Sequence, residues 1–164
     1  MNIKNIIVIF GILILLWILI NNTFDLLSIA VGAVLALLIS VILCRRCDVF
    51  AEINLTPKAF VYTFIYIFVF LSELMKSNLD VAKRVISPSL PINPGIVKVK
   101  TKLKSKMGRM ILANSITLTP GTFTIDIIDD TLYIHWIDVL SEDIEKATKE
   151  IVSKFEKYLE VIYG

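Results

Sequence analysis

The sequence contains no glutamine, one histidine and two cysteines among 164 residues, and its six glycines never cluster. Each scarcity removes a class of chemistry. Cys44-Arg45-Arg46-Cys47 has the spacing of a redox or metal pair. With no further cysteine and a single histidine, however, four ligands cannot be assembled, and the two small residues read as closing a helix end. Gly95, Gly108 and Gly121 are isolated, so there is no glycine-rich phosphate loop. His135 has no nucleophile beside it, and Asp126 is in the same position, so neither supports a catalytic site. No acid, base and nucleophile set can be named. The expectation is an accessory chain that is not an enzyme, with no catalytic residue, metal or cofactor.

Charge is sparse as well. Hydrophobic residues make up 56% of the chain and charged ones 20%, and the mean hydropathy is +0.77. That exceeds the apolar share of soluble domains, so the surplus must sit in lipid. Met1 to Met75 holds nearly all of the long apolar runs, whereas Lys76 to Gly164 reads like a soluble domain large enough for one small core. Ile6 to Ile20 and Leu26 to Leu43 are free of charge, against about twenty residues needed to cross a bilayer. Counting from Ile3, with Lys4 snorkelling to the interface, gives the first run its reach. Asn21 to Asp25 join the two as a helical hairpin, and they lack the small-residue site at which a signal peptide would be cleaved. A third apolar element spans Ala59 to Met75, with Thr56 as N-cap and Pro57 at the first helical position. Its alternating aromatics, Phe60 through Phe70, imitate a strand, but a run of this length without a turn signal fits a helix.

Basic residues orient the chain. From Lys76 to Arg109 there are nine of them against one acid, Asp80, which places this stretch on the cytoplasmic side. Three full spans would then leave Arg45 and Arg46 outside. Two spans put Lys4, Arg45, Arg46 and the C-terminal domain on the same, inner side. The charge pattern therefore favours a spanning hairpin, with the third helix at the interface or against partner subunits. Its hydrophobicity argues the other way, because Ala59 to Met75 lacks the polar face of an interfacial helix.

Past the apolar elements, Ile96 to Leu103 alternates apolar residues with lysines, the period of a half-buried strand. Lys106 to Ser115 reads as a short helix. Phe123, Ile125 and Ile127 alternate with Thr124 and Asp126, and Leu132, Ile134 and Trp136 with Tyr133 and His135, which turns His135 toward the exposed or sheet-covering face. Asp129-Asp130 closes these two strands into a hairpin. Ser141 is expected to cap a last helix with Glu142 and Asp143 in its first turn and an apolar stripe of Ile144, Ala147, Ile151, Phe155 and Leu159. The fold class expected is an integral membrane α-helical N-terminal part of two to three hydrophobic helices plus a small cytoplasmic α+β domain of ferredoxin-like order βαββα. The membrane domain covers residues 1–75, a linker 76–94, and the α+β domain 95–164.

Residues 1–109 carry thirteen basic and five acidic groups, and residues 110–164 four basic and ten acidic. The basic part suits anionic lipid or an acidic partner subunit as well as it suits simple topology and solubility. Nucleic acid is not an expected partner, because the lysine strand has no interleaved aromatics and belongs to a membrane-tethered chain. Ion conduction needs ionisable groups within the bilayer. The two firm spans hold none, Asp25 marks a loop, and only Glu73 stands near the end of the third.

One stretch, Leu112 to Thr124, is not explained by composition. Pro120-Gly121 makes a tight turn, and the alternating Ser and Thr hydroxyls can bond nearby backbone, an elaborate helix-to-strand connection. Its Asn114-Ser115-Ile116-Thr117-Leu118-Thr119-Pro120-Gly121-Thr122, followed by Thr124 and Asp126, resembles the signature of the E-type subunit family of multisubunit Mrp/Mnh cation:proton antiporters. Ser77-Asn78-Leu79-Asp80-Val81-Ala82 and Pro91-Ile92-Asn93-Pro94-Gly95 also resemble segments of that family. The resemblance implies a small accessory subunit of a sodium–proton exchanging complex in the cell membrane. Other membrane subunits would carry the ion paths, and Asn114, Ser115, Thr117, Thr119, Pro120, Gly121 and Thr122 would serve assembly. It also implies an alternative setting, the same subunit joined to hydrogenase-type subunits in an energy-converting membrane complex. The missing glutamine and the abundance of Ile, Lys and Glu are a thermophile-like usage that points toward such a setting. A free-standing membrane adaptor is the competing class.

Overall fold

The computed structural model describes residues 3–44, 52–141 and 143–164, and the chain divides into two compact units, Met1–Ile53 and Asn54–Gly164. The first is a pair of helices, α1 (Ile3–Asn21) and α2 (Leu26–Cys44). Asn22 takes a left-handed φ of 47° in the link, and the Asp25 carboxylate accepts the Ser28 N–H at 3.0 Å to open α2. Gly32, Ala36, Ser40 and Cys44, four residues apart, form the buried stripe of α2. A Cβ on Gly32 would fall 2.4 Å from Cδ1 of Trp17, so only glycine lets the indole lie against the helix. Trp17 Nε1 donates to the Ser28 carbonyl at 3.1 Å. Of the Cys44-Arg45-Arg46-Cys47 motif, only Cys44 is among the described residues.

The second unit begins with α3 (Pro57–Ile86). As expected, Thr56 is its N-cap and accepts the Ala59 N–H at 3.1 Å, with Pro57 opening the first turn. The helix is 30 residues long and runs eleven residues beyond Met75, through Lys76 to Ile86, which the sequence reading assigns to a linker. No Gly or Pro intervenes before Pro88, and a polar composition alone does not end a helix. Its polar face, carrying Glu73, Ser77, Asp80 and Arg84, only becomes visible at full length.

The order βαββα follows as read. β1 (Gly95–Lys100), α4 (Lys106–Leu118), β2 (Thr122–Ile128) and β3 (Thr131–Trp136) precede α5 (Ile144–Ile151) and α6 (Ser153–Tyr163). The three strands form an antiparallel sheet in the order β1-β3-β2. Val97, Val99, Leu132 and Ile134 supply the sheet's half of the core. Leu112 and Ile116 of α4 and Ile151, Phe155, Leu159 and Ile162 of α5 and α6 supply the other half. Tyr62, Tyr66 and Phe70 of α3 pack against this core. The free edge of β1 is protected by side chains: Lys100 N–H donates to Thr148 Oγ1 at 2.9 Å, and just past the strand Lys102 N–H donates to the Glu156 carboxylate at 2.7 Å. Glu156 is itself buried and also accepts the Thr101 hydroxyl at 2.6 Å.

Three local expectations are corrected. Asp143, not Ser141, caps α5, because its carboxylate reaches the Lys146 N–H at 2.9 Å; Ser141 Oγ accepts the Asp143 N–H one step upstream. Glu142 lies outside the described residues. The final helix is two helices with a break at the fully buried Val152, and the bend brings both Ile151 and Val152 into the core while Ile144 stays outside it. On β2 it is Thr124, opposite buried Ile134, that faces the helices. A bulge between Thr124 and Asp126 then brings Ile127 opposite Leu132, and Phe123 is left 55% exposed on the outer face.

Candidate functional site

The signature is the C-terminal half of α4 and its turn into β2. A helix end leaves four carbonyls without intrahelical donors, and the signature's hydroxyls meet two of them, those of Ser115 and Ile116. Thr119 Oγ1 donates toward the Ser115 and Ile116 carbonyls at 3.2 and 2.8 Å. Thr122 Oγ1 lies 2.6 Å from the Ile116 carbonyl and 3.0 Å from that of Thr119. Thr117 Oγ1 accepts the Thr124 N–H at 3.2 Å, and Thr124 Oγ1 donates to the Ala113 carbonyl at 3.2 Å. Ser115 is buried, donates to the Ile111 carbonyl at 2.7 Å, and is hydrogen-bonded to the Tyr66 hydroxyl of α3. Alternating hydroxyls thus splice a helix onto a strand and tie the splice to α3.

Pro120-Gly121 makes the turn. Gly121 has φ +94°, a conformation that side chains disfavour, and a Cβ there would stand 3.0 Å from Ile137 Cγ2 and 3.8 Å from Val81 Cγ2. Its carbonyl accepts the Ile137 N–H at 2.8 Å. The glycine therefore sits where the signature, the strand end and α3 converge.

Arg84 links the remaining two segments that carry the resemblance. Its guanidinium pairs with Asp80 and with Asp138, each at 2.8 Å, and donates to the Pro91 carbonyl at 2.6 Å. Asn93 fixes the same region, donating from its backbone to Ile137 at 3.0 Å and from its side chain to Val139 at 3.0 Å. Residues 77–82, 91–95 and 114–122, apart in sequence, meet in one place. Beside the first and third of these segments lies a cleft of about 300 Å³ lined by Glu73, Asp80, Arg84, Thr119, Gly121 and Lys154, among others. Glu73 bridges Lys76 at 2.7 Å and Lys154 at 3.3 Å, so these three charges are matched within the cleft.

Not every signature residue joins this network. Asn114 is exposed, and with Thr117, Met110 and Ile125 it lines a second groove of about 720 Å³ beside β2. His135 is exposed on the outer sheet face, opposite Ile96 and Phe123. Asp126 is exposed too, its carboxylate accepting the Ile127 N–H at 2.8 Å. Among the described residues no three His, Cys, Asp or Glu side chains are grouped to hold a metal. The arrangement can hold a shape and present surfaces. Sequence reasoning missed Arg84, Asp138 and Glu156; the Asp80–Arg84 spacing of four on a helix was a signal for the first of these.

Residues 10–162 match a family model, MNHE, described as a Na+/H+ ion antiporter subunit. The E-type Na+/H+ antiporter subunit of Alkalihalophilus pseudofirmus is 35% identical over 144 residues, 87% of each chain. Its counterpart from Bacillus subtilis is 45% identical over 97 residues, covering 58% of this chain and 60% of that protein. Among solved structures, a chain of a membrane-bound sulfane sulfur reductase, an archaeal respiratory membrane complex, superposes with a TM-score of 0.84 at 40% identity, covering 98% of this chain and 99% of the other.

Proposed function

Since the chain belongs to the MNHE family of Na+/H+ antiporter subunits, we propose that it is a non-catalytic accessory subunit of a multisubunit cation:proton antiporter or antiporter module. It is held in the cell membrane by α1 and α2 and joins other membrane subunits through its α+β unit. The observation that carries this reading is the emptiness of the spans: Lys4 is the sole charged residue of α1 and α2. A proton or sodium path needs ionisable groups inside the bilayer, so ion transfer falls to partners. The signature serves as a scaffold in which Ser115, Thr117, Thr119, Pro120, Gly121 and Thr122 hold the splice, while Asn114 faces outward to a partner. Gentle solubilisation of native membranes tests it: the chain should migrate with other antiporter-type subunits, and migration alone would favour a free-standing adaptor.

A second reading places the same subunit in a membrane-bound oxidoreductase complex. The near full-length likeness at 40% identity to a chain of a respiratory membrane complex favours it. Redox cofactor-bearing subunits in the purified assembly would select this setting.

Two expected results follow from the first reading. Glu73 is the single acid in the apolar stretch of α3, yet both its carboxylate oxygens are engaged with Lys76 and Lys154. Ion pairs at a protein surface contribute about 0–1 kcal/mol. Glu73→Gln should leave transport per assembled complex near normal, and loss of transport with normal assembly would make this subunit part of the ion path. The basic cluster from Lys76 to Arg109 supports a cytoplasmic α+β unit. Protease added to intact cells should spare it, and cleavage there would reverse the orientation.

A further inference from the structure

By length and composition α3 qualifies as a third span. Its packing argues otherwise. Along its first half, α3 is lined by α6: Tyr62 stacks near Tyr158, Tyr66 and Phe70 near Phe155, and Glu73 pairs with Lys154 at 3.3 Å. Ahead of the helix, Asn54 N–H donates to the Ile162 carbonyl at 2.8 Å. Were residues 57–75 to cross the bilayer, α6 would enter the hydrocarbon with Lys154, Glu156, Lys157 and Glu160, and charges at that depth are costly and rare.

The opposite face of α3 is exposed. Phe60, Phe64, Phe68, Leu71, Met75 and Leu79, spaced by four or three residues, form one exposed seam; Phe64 is 51% and Phe68 71% exposed. The helix is 30 residues, or about 45 Å, long. Lys58, Lys76 and Lys83 are all exposed, and at helical spacing they fall along one flank of the seam. Twelve residues of chain separate Cys44, at the end of α2, from Pro57, a tether reaching about 40 Å at most.

We propose that α3 does not cross the membrane but lies in the plane of an anionic bilayer surface, with the Phe60–Leu79 seam in the headgroup–acyl boundary and the three lysines toward lipid phosphates. An apolar face bordered by lysines is the chemistry of an interfacial helix. Lys76 already pairs with Glu73 at 2.7 Å, but a purely apolar partner helix would offer Lys58 and Lys83 no counter-charge. The proposal rests on the reading of α1 and α2 as the spanning pair.

Spin labels on the full-length chain test it, in vesicles of phosphatidylcholine and phosphatidylglycerol and in a background with Cys44 and Cys47 replaced by serine. Labels at Phe60→Cys, Phe64→Cys, Phe68→Cys, Leu71→Cys and Met75→Cys should all report one shallow depth, about 5–10 Å. Vesicles of phosphatidylcholine alone, or Lys58→Gln, Lys76→Gln and Lys83→Gln together, should move the seam labels toward water. A depth profile that passes through the bilayer midplane between Phe60 and Met75 would show a third span and overturn the proposal. Water exposure of all seam labels in the anionic vesicles would assign the seam to a protein partner and overturn it as well. Labels at Ile12→Cys and Leu35→Cys separate the two readings: deep signals there with failure at α3 refute this inference alone, whereas shallow signals refute the spanning hairpin itself.

Discussion

Gly121→Val is expected to cut the amount of assembled complex several-fold while leaving transport per assembled complex close to normal. Two costs coincide at this position. The φ of +94° is strained for any side chain, and for a β-branched one the penalty is about 1–2 kcal/mol or more. In addition, the new Cβ meets Ile137 Cγ2 at 3.0 Å, and Ile137 is held by its N–H bond to the Gly121 carbonyl at 2.8 Å, so it cannot simply move away. A loss of about 2 kcal/mol shifts the folded-to-unfolded ratio by about thirtyfold, a large share of the stability of so small a unit. The measurement is transport normalised to the assembled complex recovered from membranes. Normal assembly with abolished transport would make the signature a participant in ion transfer and would end the scaffold reading. Gly121→Ala, which adds the Cβ without valine's branching methyls, should lose less than Gly121→Val and still fall short of the unsubstituted chain, since the backbone strain and the Ile137 contact remain.

The second large effect belongs to Arg84. Its guanidinium holds Asp80, Asp138 and the Pro91 carbonyl together, and with a side chain only 19% exposed it is better shielded than an ordinary surface pair. Hydrogen bonds to charged groups contribute about 1.5–3 kcal/mol. Arg84→Met keeps the apolar stem and removes the fork, so the α+β unit should lose about 2 kcal/mol, with residues 87–95 becoming the first site of proteolytic cleavage in native membranes. Arg84→Lys should fall in between, because one ammonium cannot serve three acceptors with the planar geometry that guanidinium offers. Cleavage unchanged in Arg84→Met would show that Asn93, through its own bonds to Ile137 and Val139, holds the segment unaided.

These two residues also mark how far the sequence could be read. The need for glycine at position 121 was visible locally, since Pro-Gly between a helix pattern and a strand pattern calls for a turn with positive φ. The hydroxyl ladder was foreseeable in kind, as Ser and Thr bond nearby backbone, but not in its ties to Tyr66. Arg84 looked like one of nine topology-setting cations. Its importance comes from Asp138, fifty-four positions downstream, and no local pattern signals that pairing. The reading of β2 went astray for a related reason: simple alternation puts Phe123, Ile125 and Ile127 on one face, whereas the bulge shifts the register and Thr124 turns inward to the Ala113 carbonyl.

By itself the sequence determined everything governed by neighbours within a few residues. That includes the long apolar runs of α1 and α2, which composition alone commits to lipid, the caps Thr56 and Pro57, the alternation of β1, the Asp129-Asp130 hairpin and the order βαββα. Tertiary structure decided whatever depends on which face meets which. It made one 30-residue helix of an apolar run and a supposed linker, turned its polar side to α6, Asp138 and the signature turn, and left Phe60, Phe64 and Phe68 outside. The physical reason is that burial and ion pairing are settled by packing between elements far apart in the chain, where the same periodic face can be core, lipid contact or partner contact with no change in the local pattern.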